Sequence, residues 1–316
     1  MIDSFASATH YVDHLAPIWS QLEDRGTFWT GSDRVAQHAR HRGVPDPRVG
    51  RPDGQRPVMV AAHRDELAVD GPIILVEHGA GQHYGGHDAS GAGAQRPRII
   101  LYLGPNEQTC DRMAAVAPQA VRVPVGCPKL DAWHGWQPTV PGVLPTVGLT
   151  WHWPARTWPE AGWAWPTFRR SVPAVAARWP TIGHGHPRVF GHLIGDYRRA
   201  GITPEHDATT FLSRIHLLVA DNTSLIFEAA AIGLPVVLLD SPTYRRGVEH
   251  GLRFWEWANI GPRTRDPAAL VDVIAEGWAR RDEYRPVREA MRDAVYGRWD
   301  GQASQRAAET IAACCG

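Results

Sequence analysis

The chain has 316 residues, 43% of them hydrophobic and 21% charged, which excludes a disordered chain and provides for two cores of ordinary size. Basic and acidic side chains number 33 each, so no net field recruits nucleic acid or an anionic membrane. Cys110, Cys127, Cys314 and Cys315 show no CxxC spacing and no disulfide framework, which points to a reducing, cytoplasmic setting.

The N-terminal MIDSFASATHYVDHLAP has neither a basic leader nor a long apolar stretch, so no signal peptide is expected. No apolar window of about eighteen residues predicts a membrane span. Strands are predicted at Ile2–Ala6, Pro57–Ala62, Ile73–Glu77, Arg98–Leu103 and Ala120–Pro124, with helices at His10–Glu23 and Asn106–Ala117. Trp136–Thr146, with three prolines and a glycine, marks a boundary. Beyond it come predicted strands at Val147–His152, Ile215–Ala220 and Pro235–Asp240 and a helix at Phe168–Arg178. After Arg263 the pattern turns helical to the end. Strands alternating with helices call for parallel sheets of βαβ units. The expected architecture is α/β: two Rossmann-like lobes, 1–140 and 141–316, with a central cleft and a helical tail on the second lobe.

From Leu217 to Arg246 the sequence reads LLVADNTSLIFEAAAIGLPVVLLDSPTYRR. In an open parallel sheet, ligands sit beyond the carboxyl ends of strands, the position that Asp221 to Ser224 occupy here. Asn222, Thr223 and Ser224 open a helix predicted over Leu225–Ile232, whose free N–H groups and dipole favour a phosphate. Ser224 and Glu228 are four apart and share one helix face. A carboxylate one turn beyond a phosphate-binding hydroxyl suits the hydroxyls of a ribose. The same residue types are the preferred helix caps, so capping alone is the competing reading.

His78 opens the glycine-rich loop HGAGQHYGG, in which Gly79 and Gly81 permit close approach of an acceptor and His83 adds a polar side chain. An imidazole there can take a proton from a hydroxyl near neutral pH; a structural histidine is the alternative. His83 with His87, and His184 with His186, are close enough in sequence for metal ligands. Glycines beside His87 argue against a helix and HExxH is absent, so no metal is expected. Eight of the fourteen tryptophans fall between Trp133 and Trp179, as stacking faces for a sugar or base or as an interlobe core. Arg245, after the Asp240-Ser241-Pro242 turn, either pairs with a donor phosphate or lies solvated.

Taken in order, these segments resemble the CDP-glycerol glycerophosphotransferase-like family of the GT-B glycosyltransferase superfamily. The resemblance rests on VEHGAG at Val76–Gly81, GCPKLD at Gly126–Asp131, LTWHWPART at Leu149–Thr157, GHGHPR at Gly183–Arg188 and the segment Asp221–Asp240. Asn222 stands where that family has an aromatic residue, and Thr223 where it has its first serine. The resemblance implies a GT-B fold, a nucleotide-diphosphate donor of the UDP-sugar or CDP-glycerol class, and a hydroxyl acceptor that can be macromolecular. It implies His78 as catalytic base and His186 as the group that stabilises charge on the leaving diphosphate. Arg188, Asn222, Thr223, Ser224, Glu228 and Arg245 then form the donor site, with no cofactor beyond the activated donor. The expected reaction is metal-independent, inverting glycosyl transfer. Glycerophosphate transfer in teichoic-acid-like polymer synthesis, non-hydrolysing UDP-sugar 2-epimerisation and nucleotide binding without catalysis are the alternatives. No basic stripe marks nucleic acid as the acceptor.

Overall fold

The computed structural model describes residues 1–79, 95–139, 144–154, 163–241, 257 and 259–315. The chain divides into two units, Met1–Gly135 with Asp293–Gly316, and Trp136–Arg292.

The first unit is built on seven parallel strands: β1 (Ile2–Ala6), β2 (Arg25–Thr30), β3 (Arg48–Val49), β4 (Val58–Val60), β5 (Ile73–Val76), β6 (Ile99–Gly104) and β7 (Val121–Pro124), in the order β3-β2-β1-β4-β5-β6-β7. Alternation along β5 explains why the sheet needs cover on both sides. Ile74 and Val76 enter one core with Val12, Leu15 and Ile18 of the helix Thr9–Gln21, whereas Ile73 and Leu75 enter the opposite core with Met113 and Val116. Each such fully buried aliphatic side chain contributes about 1.5–3 kcal/mol.

The second unit holds β8 (Val147–Thr150), β9 (Thr181–Gly183), β10 (Thr203–Pro204), β11 (Leu217–Ala220), β12 (Val236–Leu239) and β13 (Arg263–Thr264), all parallel, in the order β10-β9-β8-β11-β12-β13. Both sheets have doubly wound order. Each therefore has a switch point, between β1 and β4 and between β8 and β11, where crossovers leave in opposite directions and open a crevice at the strand ends.

The two α/β units were expected, but the helical tail is a correction. Residues 293–316, expected on the second lobe, cluster with the first unit, and the boundary falls after Gly135. The helix Ala303–Cys315 buries Ala307, Ala308 and Ile311 in the core beneath Thr9–Gln21. Asp131 fixes its start, accepting the N–H groups of Ala303 at 3.0 Å and Ser304 at 2.7 Å. Gly126 has φ +91°, and a Cβ there would come within 3.1 Å of Ala303 Cβ, so glycine is required where the tail passes. The GCPKLD segment thus serves as the dock for the tail. The strands that pattern alone missed are short or half-exposed: β3, β10 and β13 have two residues each, β9 has three, and β2 buries only Phe28 and Thr30 of six.

Candidate functional site

In the second unit, the carboxyl ends of β8, β9 and β11 carry the polar residues singled out from sequence. Asp221 follows β11 and is fully buried. Its Oδ1 accepts the backbone N–H of His152 at 2.6 Å, and its Oδ2 accepts that of Ala164 at 2.9 Å. Burial lifts this carboxyl to about 7 against the N–H donors that pull it down. Asp221 is therefore committed to holding the segment after β8. Asn222 and Thr223 are buried beside it, and Thr223 Oγ1 accepts the N–H of Leu225 at 3.5 Å. Ser224 makes no side-chain cap bond to the helix Leu225–Ala231 and is partly exposed, the position a ligand oxygen needs. Glu228, four residues on, is 3% exposed.

His186 caps the helix Pro187–Arg199. Its Nδ1 accepts the Arg188 N–H at 3.2 Å, which leaves the ring proton on Nε2 as a donor. The His186 ring lies 5.8 Å from that of Trp153 and 6.0 Å from that of His152. The guanidinium of exposed Arg188 sits 4.2 Å from the centre of the Trp153 ring. His152 donates from Nδ1 to the Trp153 carbonyl at 2.8 Å, and enclosure of its ring, aided by the Arg188 charge, pushes it down to about 4. It is neutral at pH 7. His184 donates from Nδ1 to the Glu205 carbonyl at 2.9 Å and its ring stacks on Phe211 at 5.0 Å. No group of three metal-ligating side chains occurs among the described residues.

The tryptophans divide by role. Trp151, Trp165 and Trp179 are buried, and the first two meet edge to face at 5.1 Å, a core contact. Among the described tryptophans, Trp153 joins the polar cluster just described.

In the first unit, His78 follows β5, and Gly79 beside it has φ +70°, a left-handed backbone suited to glycine. The His78 ring meets Tyr11 edge-on at 5.2 Å and His14 at 6.3 Å. His14 is buried, and desolvation, then the charges of Lys129, His78 and His10, hold its pKa well below the ordinary value. The His78 N–H donates to Glu77 Oε1 at 3.2 Å, while Tyr102 OH donates to Glu77 Oε2 at 2.6 Å. Asp65, fully buried in the short helix His63–Glu66 that follows β4, accepts the Ser7 N–H at 2.9 Å, and burial raises its carboxyl. Gly81 and His83 of the acceptor loop, with His87, and Arg245 lie outside the described residues.

His152, Trp153, Asp65, Glu77 and His14 were not singled out from sequence. Only the strand order reveals that β4 and β8 flank switch points.

No protein-family model and no curated protein sequence matches the chain. Two doubly wound parallel sheets with polar strand ends define the GT-B class of fold, and solved structures of that class are similar to this chain. The wall teichoic acid polymerase TagF superposes with a TM-score of 0.65 at 12% identity, over 99% of this chain and 88% of that one. UDP-GlcNAc 2-epimerase from Neisseria meningitidis, bound to UDP-GlcNAc, gives 0.57 at 12%, over 99% of both chains. A further UDP-N-acetylglucosamine 2-epimerase gives 0.60 at 15%, over 98% of this chain and 94% of that one. The chain has the GT-B fold; identities this low carry the likeness no further.

Proposed function

We propose that the protein is a transferase that moves a group, in our reading a glycosyl group with inversion, from a nucleotide-diphosphate donor to a hydroxyl acceptor. One observation supports this above the others: at the switch point of the second unit, His186 and Arg188 gather at His152 and Trp153, whose backbone Asp221 pins, and Ser224 follows Asp221 three residues on. These are the group types that hold a diphosphate and accept its charge as it leaves. In this reading His186 donates from Nε2, Arg188 contributes its guanidinium, and the dipole of Pro187–Arg199 favours the anion. Ser224 and Thr223 complete the phosphate contacts, and Glu228 takes the ribose hydroxyls. With that much positive character on the leaving group, the reaction needs no divalent metal, so turnover should survive EDTA.

His78 is assigned as the base for the acceptor hydroxyl. Glu77 holds its backbone N–H and Tyr11 its ring, and Gly79 lets the chain turn directly after it. CDP-glycerol is the alternative donor: a variant of TagF, a fold neighbour, was soaked with CDPG.

A second reading, UDP-sugar 2-epimerisation, gains from the carboxylates of Asp65, in the short helix after β4, and Glu77, directly after β5, acids that this chemistry requires in the first unit. The deciding experiment is a thermal-shift screen with UDP, CDP, GDP and TDP, followed by product analysis of the activated conjugates that bind. A transfer product that forms only with acceptor supports the proposal. An epimer formed without acceptor replaces it, and binding without turnover leaves a nucleotide-binding protein.

A further inference from the structure

Arg188 begins on an exposed position with a side chain whose rotamer freedom is worth about 2 kcal/mol, so by itself it is a poorly aimed phosphate ligand. The structure removes much of that freedom. Its guanidinium lies 4.2 Å from the centre of the Trp153 ring. Trp153 is held in turn: it packs against the core of the second unit, its carbonyl accepts His152 Nδ1–H at 2.8 Å, and its ring stacks at 26° with that of His152 at 5.8 Å. The N–H of His152 is bound by buried Asp221 at 2.6 Å. A continuous chain of contacts thus runs from the sheet to the guanidinium.

Resting on the donor-site reading above, we propose that Trp153 is a positioning residue that aims Arg188 at the donor diphosphate. Trp153 touches no reacting atom; it acts through the cation it restrains. Indole is the strongest of the aromatic faces for a cation, and phenyl keeps part of the attraction. Leucine keeps the apolar packing and loses the attraction altogether.

The test is a double-mutant cycle with calorimetric titration of UDP and CDP into wild type, W153L, R188A and the double variant, with W153F as rescue. W153L should weaken binding of the nucleotide that wild type prefers by about three- to thirty-fold, the equivalent of a cation–π contact of roughly 0.6–2 kcal/mol. W153F should recover most of that loss. In the R188A background W153L should cost almost nothing further, because the residue it aims is gone. Melting temperatures on the same preparations separate unfolding from lost aim, and the Phe variant keeps the test open if W153L is unstable. Additive losses from W153L and R188A would overturn the inference alone, as would an unchanged affinity in folded W153L. Failure of wild type to bind UDP, CDP, GDP or TDP would end the donor-site reading and this inference with it.

Discussion

The carboxylate of Asp221 reaches across the switch point of the second sheet and takes the backbone N–H of His152 at 2.6 Å. Asp221 follows β11 and His152 comes shortly after β8, so one buried side chain joins two neighbouring strand ends. Its second oxygen accepts the N–H of Ala164 at 2.9 Å.

That arrangement gives a signed pH dependence. An unfolded aspartate ionises near 3.8 and the folded Asp221 near about 7, so between these values the folded chain keeps a proton that the unfolded chain has released. The contribution of Asp221 to stability is therefore fully present below about 4, declines as pH rises toward 7, and is level above it. Asp221→Asn cannot titrate and also sets an amide N–H against a backbone donor, costing about 1–3 kcal/mol. Urea unfolding at pH 5, 6, 7 and 8 should show wild type losing stability relative to the variant as pH rises. Parallel curves across that range would mean that Asp221 is ionised throughout.

His78→Asn separates chemistry from binding. The amide fits the same space and cannot take a proton, so turnover should fall by roughly 10²–10⁴ with donor affinity nearly intact. A folded variant with near-normal turnover would remove His78 from the base role. Joint loss of melting temperature and nucleotide affinity would mark it as structural.

Glu228→Gln tests the ribose contact. The carboxylate is 3% exposed, so its environment is rigid and a charged hydrogen bond lost there should weaken nucleotide binding by about 1.5–3 kcal/mol. Ser224→Ala should cost less, because backbone N–H groups still hold the phosphate. Equal affinity in both folded variants would move the donor site elsewhere.

Asp131→Ala addresses the tail. It leaves the N–H groups of Ala303 and Ser304 without their acceptor, at a cost of about 1–3 kcal/mol in the first unit. Hydrogen exchange should rise in residues 303–315 while UDP or CDP affinity in the second unit holds. Unchanged exchange there would show that apolar packing alone docks the tail.

Much of this was legible in the residues. The runs IILV at β5, LLVA at β11 and VVLL at β12 are continuously apolar, and each is buried throughout, as a covered parallel strand must be. The cap-type residues Asn222 to Ser224 after β11 and His186 before Pro187 marked strand ends where polar groups gather, and both do so here. Segments with weaker patterns escaped. β9 spans three residues, and β10 two at the edge of its sheet, so neither carries a readable period.

The sequence by itself determined the two parallel α/β units, because burial on both faces of a strand writes itself as an unbroken apolar run. It also determined which polar residues follow those strands. Tertiary structure alone decided what those residues do. Asp221 reads like its three polar neighbours, yet the carboxylate is consumed by two N–H groups far away in sequence, at His152 and Ala164. Trp153 reads as one tryptophan among many, yet its ring lies 4.2 Å from the Arg188 guanidinium. Asp131 reads as part of a segment that carries a family resemblance, yet it caps a helix more than 170 residues later. Local periodicity records whether a side chain faces a core. Strand order, which no local pattern encodes, records which side chains share a crevice.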